Sequence, residues 1–210
     1  MGKVRVRGFA VSVDGYGAGA GQSLEHPMGQ GGRDLHRWFY PTRTFRAMLG
    51  QEGGTDDRFA RASAEGFGAF ILGRNMFGPA GDNWGGPEWK GWWGDNPPYH
   101  APTFILTHHA REPIVMEGST TFYFVTDGIE SALAQARAAA GDLDVKIGGG
   151  VSTVRQYLLA GAIDELHLAQ SPVLLGRGES LFAGIDLPSL GYRVTEVVST
   201  ELATHLVLTR

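Results

Sequence analysis

KIGGGVSTVRQYL, residues 146–158, runs a strand pattern straight into three glycines and then into a helix pattern. Strand, turn and helix in that order form the unit from which open α/β sheets are built. A helix starting there presents free N–H groups and a partial positive charge, which suit a phosphate. Gly148, Gly149 and Gly150 let the backbone approach a ligand closely, and Ser152 and Thr153 add hydroxyl donors. A tight strand-to-helix turn without a ligand would read the same way. Two familiar phosphate loops are excluded. The dinucleotide fingerprint needs glycine where Thr153 stands, and a P-loop needs a Lys-Ser/Thr pair that is missing here.

The same alternation extends outward in both directions. KVRVRGFAVSV (3–13) reads as a strand, followed by a long glycine-rich stretch (14–34) whose composition fits no regular element. Thr55 or Asp56 is placed to cap a helix over 56–68, with Phe59, Ala62 and Ala64 on its apolar stripe. Strands are predicted at 69–72, 103–109, 121–127, 143–150 and 163–176, and helices at 129–141 and 151–161, both closed by glycine. Two final strands fill 192–210. Alternating strands and helices with short links predict one α/β domain over residues 1–210, with a mainly parallel sheet and an antiparallel edge.

Composition narrows the partners. The 210 residues carry a net charge of −4 without a basic block, so nucleic acid and anionic membrane surfaces are not expected partners. No apolar run is long enough to span a bilayer, and a cytoplasmic protein is the expectation. There is no cysteine, which removes disulfides, thiol chemistry and the H-x-E…P-C-x-x-C deaminase signature. No metal site is expected.

NWGGPEWKGWWGDNPPYHAP (83–102) gathers four of the five tryptophans among glycines and prolines. It suits neither helix nor strand. Such aromatic density marks a binding wall or an interface, or a loop packed onto the body.

FAVSVDG (9–15), LGRNMFG (72–78), FILTHH (104–109), KIGGG (146–150) and AGAIDELHLAQSPVLLGRGESLF (160–182) together resemble the dihydrofolate reductase-like superfamily. The branch is the one that includes the reductase domain of the riboflavin-biosynthesis deaminase–reductase. The resemblance covers almost the whole chain. It implies an α/β fold of three layers, α/β/α, with a mostly parallel central sheet and an antiparallel C-terminal edge. It implies NADPH (NADP) across the carboxyl edge of that sheet, and hydride transfer to a small, planar heterocyclic or carbonyl or imine substrate.

Carried over by position, Ala10 and the loop after Asp14 would face the nicotinamide. Gly73, Arg74, Asn75 and Met76 would open a helix on the pyrophosphate or adenosine side. Thr107 and His108 would sit near the 2′-phosphoribose. Ile147, Gly148, Gly149, Gly150, Val151, Ser152 and Thr153 would hold the pyrophosphate, with a cis peptide expected between Gly148 and Gly149. Asp14 and Asp57 are the candidate catalytic carboxylates. Asp57 precedes Gly73-Arg74 by about the spacing of the folate-binding carboxylate in the folate enzymes. Both also suit turn and helix-start positions. Trp38, Trp92 and Trp93 are the candidate substrate contacts, and a homodimer is expected. The alternative is a nucleotide- or flavin-binding protein with the same cleft and little reductase activity.

Overall fold

A computed structural model describes residues 2–47, 56–78, 86 and 88–210. Thr55 and Trp84 lie outside them. In chain order the elements are β1 Val4–Ser12, β2 Tyr16–Gly19, α1 Arg43–Ala47, α2 Asp57–Ala62, β3 Phe67–Gly73, α3 Arg74–Phe77, β4 Pro102–Leu106, β5 Ile114–Val115, β6 Thr121–Val125, α4 Ile129–Ala140, β7 Asp144–Gly149, α5 Val151–Leu159, β8 Glu165–Ser171, β9 Gly178–Ser180, β10 Arg193–Ser199 and β11 Thr204–Thr209.

Among the described residues nine strands form one sheet in the order β10-β11-β8-β1-β7-β3-β4-β6-β5. The six central strands are parallel. The antiparallel pairs stand at its two edges, β10–β11–β8 at one and β5–β6 at the other. Helices cover both faces, which is the three-layer α/β architecture expected from the resemblance.

One face buries Val4, Val6, Val11, Ile71, Ile147 and Leu166 under α4 and α5. Alanines at 132, 136 and 140 recur at four-residue spacing and let α4 sit close to the sheet. The Tyr157 hydroxyl then donates 2.8 Å to the Ile129 carbonyl and joins the two helices. The other face holds two clusters. One packs Trp38, Phe59, Ala60 and Val207; the second packs Leu72, Phe77, Ile105, Met116 and Phe122 beneath Trp89, Trp93 and Tyr99.

Several boundaries differ from the sequence expectation for local reasons. The helix predicted over 56–68 stops at Ala62, because Gly66 turns the chain with φ +87° and β3 already begins at Phe67. The glycine-rich stretch does contain regular structure. β2 pairs with β9, and a 3₁₀ turn spans Gly32–His36. These pairings are too short, and too dependent on a distant partner, to show in local alternation. The last parallel strand ends at Ser171, just before Pro172, which has no N–H for a ladder. Among the described residues no helix is long and apolar enough to cross a membrane.

Candidate functional site

The carboxyl ends of β1, β3 and β7 meet where the strand order reverses around β1, the usual crevice for ligands in open α/β sheets. Here β7 delivers the glycine triplet into α5. Ile147 is fully buried in the core and paired with Ile71 in the sheet, so it offers a ligand no surface, which corrects its expected place at the pyrophosphate. Gly148 lies against Leu72, where an added Cβ would come within 2.5 Å of Leu72 Cδ2. Gly149 has φ +130°, and a Cβ there would stand 3.3 Å from both Met76 Sδ and Phe9 Cε2. Gly150 opens onto free space, with nothing within 4 Å of an added Cβ.

The cis peptide joins Gly149 to Gly150, one bond later than expected. β7 shifts register by one residue past Ile147, so that Gly149 rather than Gly148 pairs with Leu72. No side chain caps the start of α5. Val151 and Thr153 are buried there while Ser152 is exposed.

Two neighbours close the cradle. Gly73 ends β3 so tightly against α5 that an added Cβ would overlap Thr153 Oγ1. From the other side β2 passes by, and a Cβ on Gly17 would reach 2.7 Å from Val151 Cγ2 and 2.8 Å from Phe9 Cε1. Ala10 is buried and pairs with Ala169 beside this crevice. Arg74 and Met76 are half-buried on α3 and Asn75 is exposed. At the end of β4 the Thr107 hydroxyl accepts from the His109 N–H at 3.1 Å, which fixes the turn and leaves His108 exposed. The structure therefore brings the expected segments to one edge of the sheet. Gly17, in the loop expected to face the nicotinamide, lines the cradle, and so does Phe9, which was missed because nothing in its local pattern points across the sheet.

The two candidate carboxylates have other partners. Asp14 accepts from the N–H groups of Leu175 at 3.2 Å and Gly176 at 2.7 Å. The Ser12 hydroxyl, followed by these backbone donors, holds the Asp14 carboxyl below its ordinary range. It thus staples the loop after β1 to the turn after β8. Replacing Asp14 by alanine is expected to speed amide exchange at Leu175 and Gly176 while exchange in α4 and α5 stays unchanged. Asp57 accepts from the Thr44 N–H at 2.7 Å and its hydroxyl at 3.0 Å, tying α2 to α1.

The tryptophans also divide. Trp38 is 1% exposed and packs edge-on against His205 and Phe39, so its side chain is core rather than a substrate wall. This corrects the expectation, and the reason is that residues 32–40 fold under the sheet instead of over the cleft. Trp93 stacks over Phe122 and meets Tyr99 edge-on, while Trp92 meets Trp89 edge-on. The Trp89 indole N–H donates 3.0 Å to the Phe77 carbonyl. Trp92 and Trp93 are both half-buried and each keeps an open side.

A cavity of about 720 Å³ lies elsewhere, at the amino ends of β1, β3 and β7. Arg5, Arg7, Arg58 and Arg61 line it, but each already faces a carboxylate: Asp144, Glu165, Glu196 and Glu65 respectively. Among the described residues no cluster of His, Asp or Glu is placed to hold a metal ion.

Residues 5–208 match the family model of the RibD C-terminal domain. A putative riboflavin biosynthesis protein from Shewanella sp. PV-4 superposes with a TM-score of 0.61 at 22% identity, covering 100% of this chain and 99% of that one. Acinetobacter baumannii RibD superposes with a TM-score of 0.56 at 16% identity, over 100% of this chain and 58% of that longer protein. A pyrimidine reductase-like protein from Corynebacterium diphtheriae gives 0.53 at 13% identity, over 99% of this chain and 91% of that one. Comparison with curated proteins finds no match. With the model spanning nearly the full length, this chain belongs to the RibD C-terminal domain family.

Proposed function

We propose that the chain is an NADPH-dependent reductase acting on a small, planar heterocyclic or carbonyl or imine substrate, with chemistry like that of the riboflavin-precursor reductases. The observation that carries this reading is the glycine cradle, in which three strand ends and α5 converge with no side chain filling the space in front of Gly150. Such a cradle fits a pyrophosphate, because the backbone N–H groups of residues 151–153 at the start of α5 can meet it directly. The nicotinamide would supply the hydride.

The rest of the work belongs to this chain. Arg74 adds a fixed positive charge beside the cradle, as phosphate recognition requires. Phe9 lines the cradle where the ring would lie, and Ala10 sits buried beside it on the other face of β1. Asp14 is a positioning residue in this reading. It pins the β1–β2 loop, which flanks the cradle. Trp92 and Trp93 offer aromatic faces toward a planar substrate.

The direct test is consumption of NADPH, followed by its absorbance, with ribosylaminopyrimidinones, dihydropterins and small carbonyl compounds as substrates. Turnover with a member of this panel supports the reading. A protein that purifies yellow, binds flavin tightly and turns over none of them favours the binding-protein alternative. Arg74→Ala is expected to fold normally and bind NADPH about tenfold more weakly, the loss of one charged hydrogen bond. Unchanged affinity in a titration would remove Arg74 from the phosphate site.

A further inference from the structure

Two histidines lie at the centre of the sheet's second face, and no proposed step uses them. His167 of β8 and His205 of β11 are both fully buried, as is nearly all of Asp56 just before α2. The Gly8 N–H donates 3.0 Å to His167 Nδ1. His167 Nε2 meets His205 Nδ1 at 3.0 Å, and His205 Nε2 meets Asp56 Oδ1 at 2.9 Å. Phe59 stacks on both rings, with centroids 4.6 and 4.0 Å away, and Trp38 closes the edge.

A backbone N–H can only donate, so the first contact fixes every other proton. His167 Nδ1 must accept, and its Nε2–H must donate to His205 Nδ1. His205 Nε2–H must then donate to the Asp56 carboxylate. The chain has three gaps and three hydrogens, with both rings neutral and Asp56 ionised. A further proton on either ring puts two hydrogens into one gap, wherever the tautomers shift. No water reaches these atoms to relieve the clash.

The backbone is shaped to this chain. β1 breaks register between Val6 and Phe9, and Gly8 takes φ +71° there, which frees its N–H from the ladder. Asp56 stands at the helix start but makes no capping bond, because its carboxylate is turned to His205.

We propose that the chain Gly8–His167–His205–Asp56 is a proton-sensitive latch. With neutral rings it fastens the amino end of α2 to β1, β8 and β11, and an added proton opens it. The surrounding charges sharpen the response. Arg7 of β1, Lys146 of β7 and Arg58 of α2 face His167, whereas Asp56, Arg58 and Glu196 of β10 face His205. Burial, then the neighbouring ring and these cations, push His167 down to about 3. Burial also lowers His205, against the pull of Asp56. The sign follows. The unfolded chain takes up protons below about pH 6.5 while the folded rings do not. Stability is therefore full above that pH and falls as the pH drops, by about tenfold in the folding equilibrium per pH unit for each neutral ring. Release of α2 also frees Asp57 and its tie to Thr44. The latch does not rest on the reductase reading.

Ring ¹⁵N spectra of the wild-type protein provide the first test and need no variant. Both rings are expected to show bare Nδ1 and protonated Nε2, unchanged down to pH 5. Amide exchange in α2 is expected to rise as the pH falls, well before that in α5. The double variant Asp56→Ala, His205→Phe keeps the stack on Phe59 and removes the latch. It should lose about tenfold per pH unit from the acid dependence of the folding equilibrium. A ring that titrates near 6.5 in the folded protein overturns the proposal. So does α2 exchange that rises no earlier than that of α5, or a variant with the wild-type acid dependence.

Discussion

Replacing Phe77 by alanine is expected to lower the stability of the fold by about 3–5 kcal/mol, the usual cost of emptying a buried aromatic site. The ring is fully buried at the end of α3. It meets Phe122 and Phe124 edge-on at 5.0 and 5.3 Å, and the Arg111 guanidinium lies 6.0 Å from its centroid. The carbonyl of the same residue receives the Trp89 indole N–H. Phe77 thus joins the segment after β3 to the floor on which the tryptophan loop sits. Its loss leaves a cavity too well braced by the sheet to collapse. Urea unfolding measures the energy, and a red shift of tryptophan emission in the folded variant reports the unseated loop. Trp92→Ala is the contrast. That ring is only partly buried, against Trp89, and should cost less, about 1–2 kcal/mol. If Phe77→Ala costs no more than Trp92→Ala, the packing assigned to this loop is wrong.

Gly149→Ala is expected to weaken NADPH binding by tenfold or more while the chain still folds. At φ +130° a side chain carries strain of about 1–3 kcal/mol. The new methyl also stands between Met76 and Phe9, where α3 and β1 flank the cradle. Both effects fall on the ligand side of β7. The core side of the strand, at Val145 and Ile147, is untouched. Melting temperature and cofactor titration separate the two consequences. A variant that loses stability but binds NADPH as tightly as the wild type would place the cofactor elsewhere.

Local pattern carried the sheet well where the strands are buried and regular. The helix that Gly141 closes, the strand leading into Gly148 and the last antiparallel pair could all be read from residue spacing alone. It failed where a distant partner decides. β2 exists because β9, more than 150 residues later, pairs with it. Asp14 and Asp56 suit a turn and a helix cap by residue type, yet their carboxylates bond to residues 162 and 149 positions away. Trp38 was indistinguishable in sequence from the exposed aromatics of a binding wall. Its burial follows from how residues 32–40 thread beneath His167 and His205. The glycine cradle lies between these cases. The triplet announced itself and the resemblance added Gly73 and the loop after Asp14, but Phe9 becomes part of the cradle only once three strands converge.

Titration of NADPH and NADH into the wild-type protein, followed by the melting temperature, tests the central claim most directly. At a hundred times its dissociation constant a ligand adds about 2.7 kcal/mol to a native state it binds. In a chain of this size that raises the midpoint by about 5–10 °C. A saturable rise of this order with NADPH, and a smaller one with NADH at equal concentration, is the expected result. No rise with either at about 1 mM, the weak end of ordinary enzyme affinities, would contradict the assignment of the glycine cradle to a nicotinamide dinucleotide.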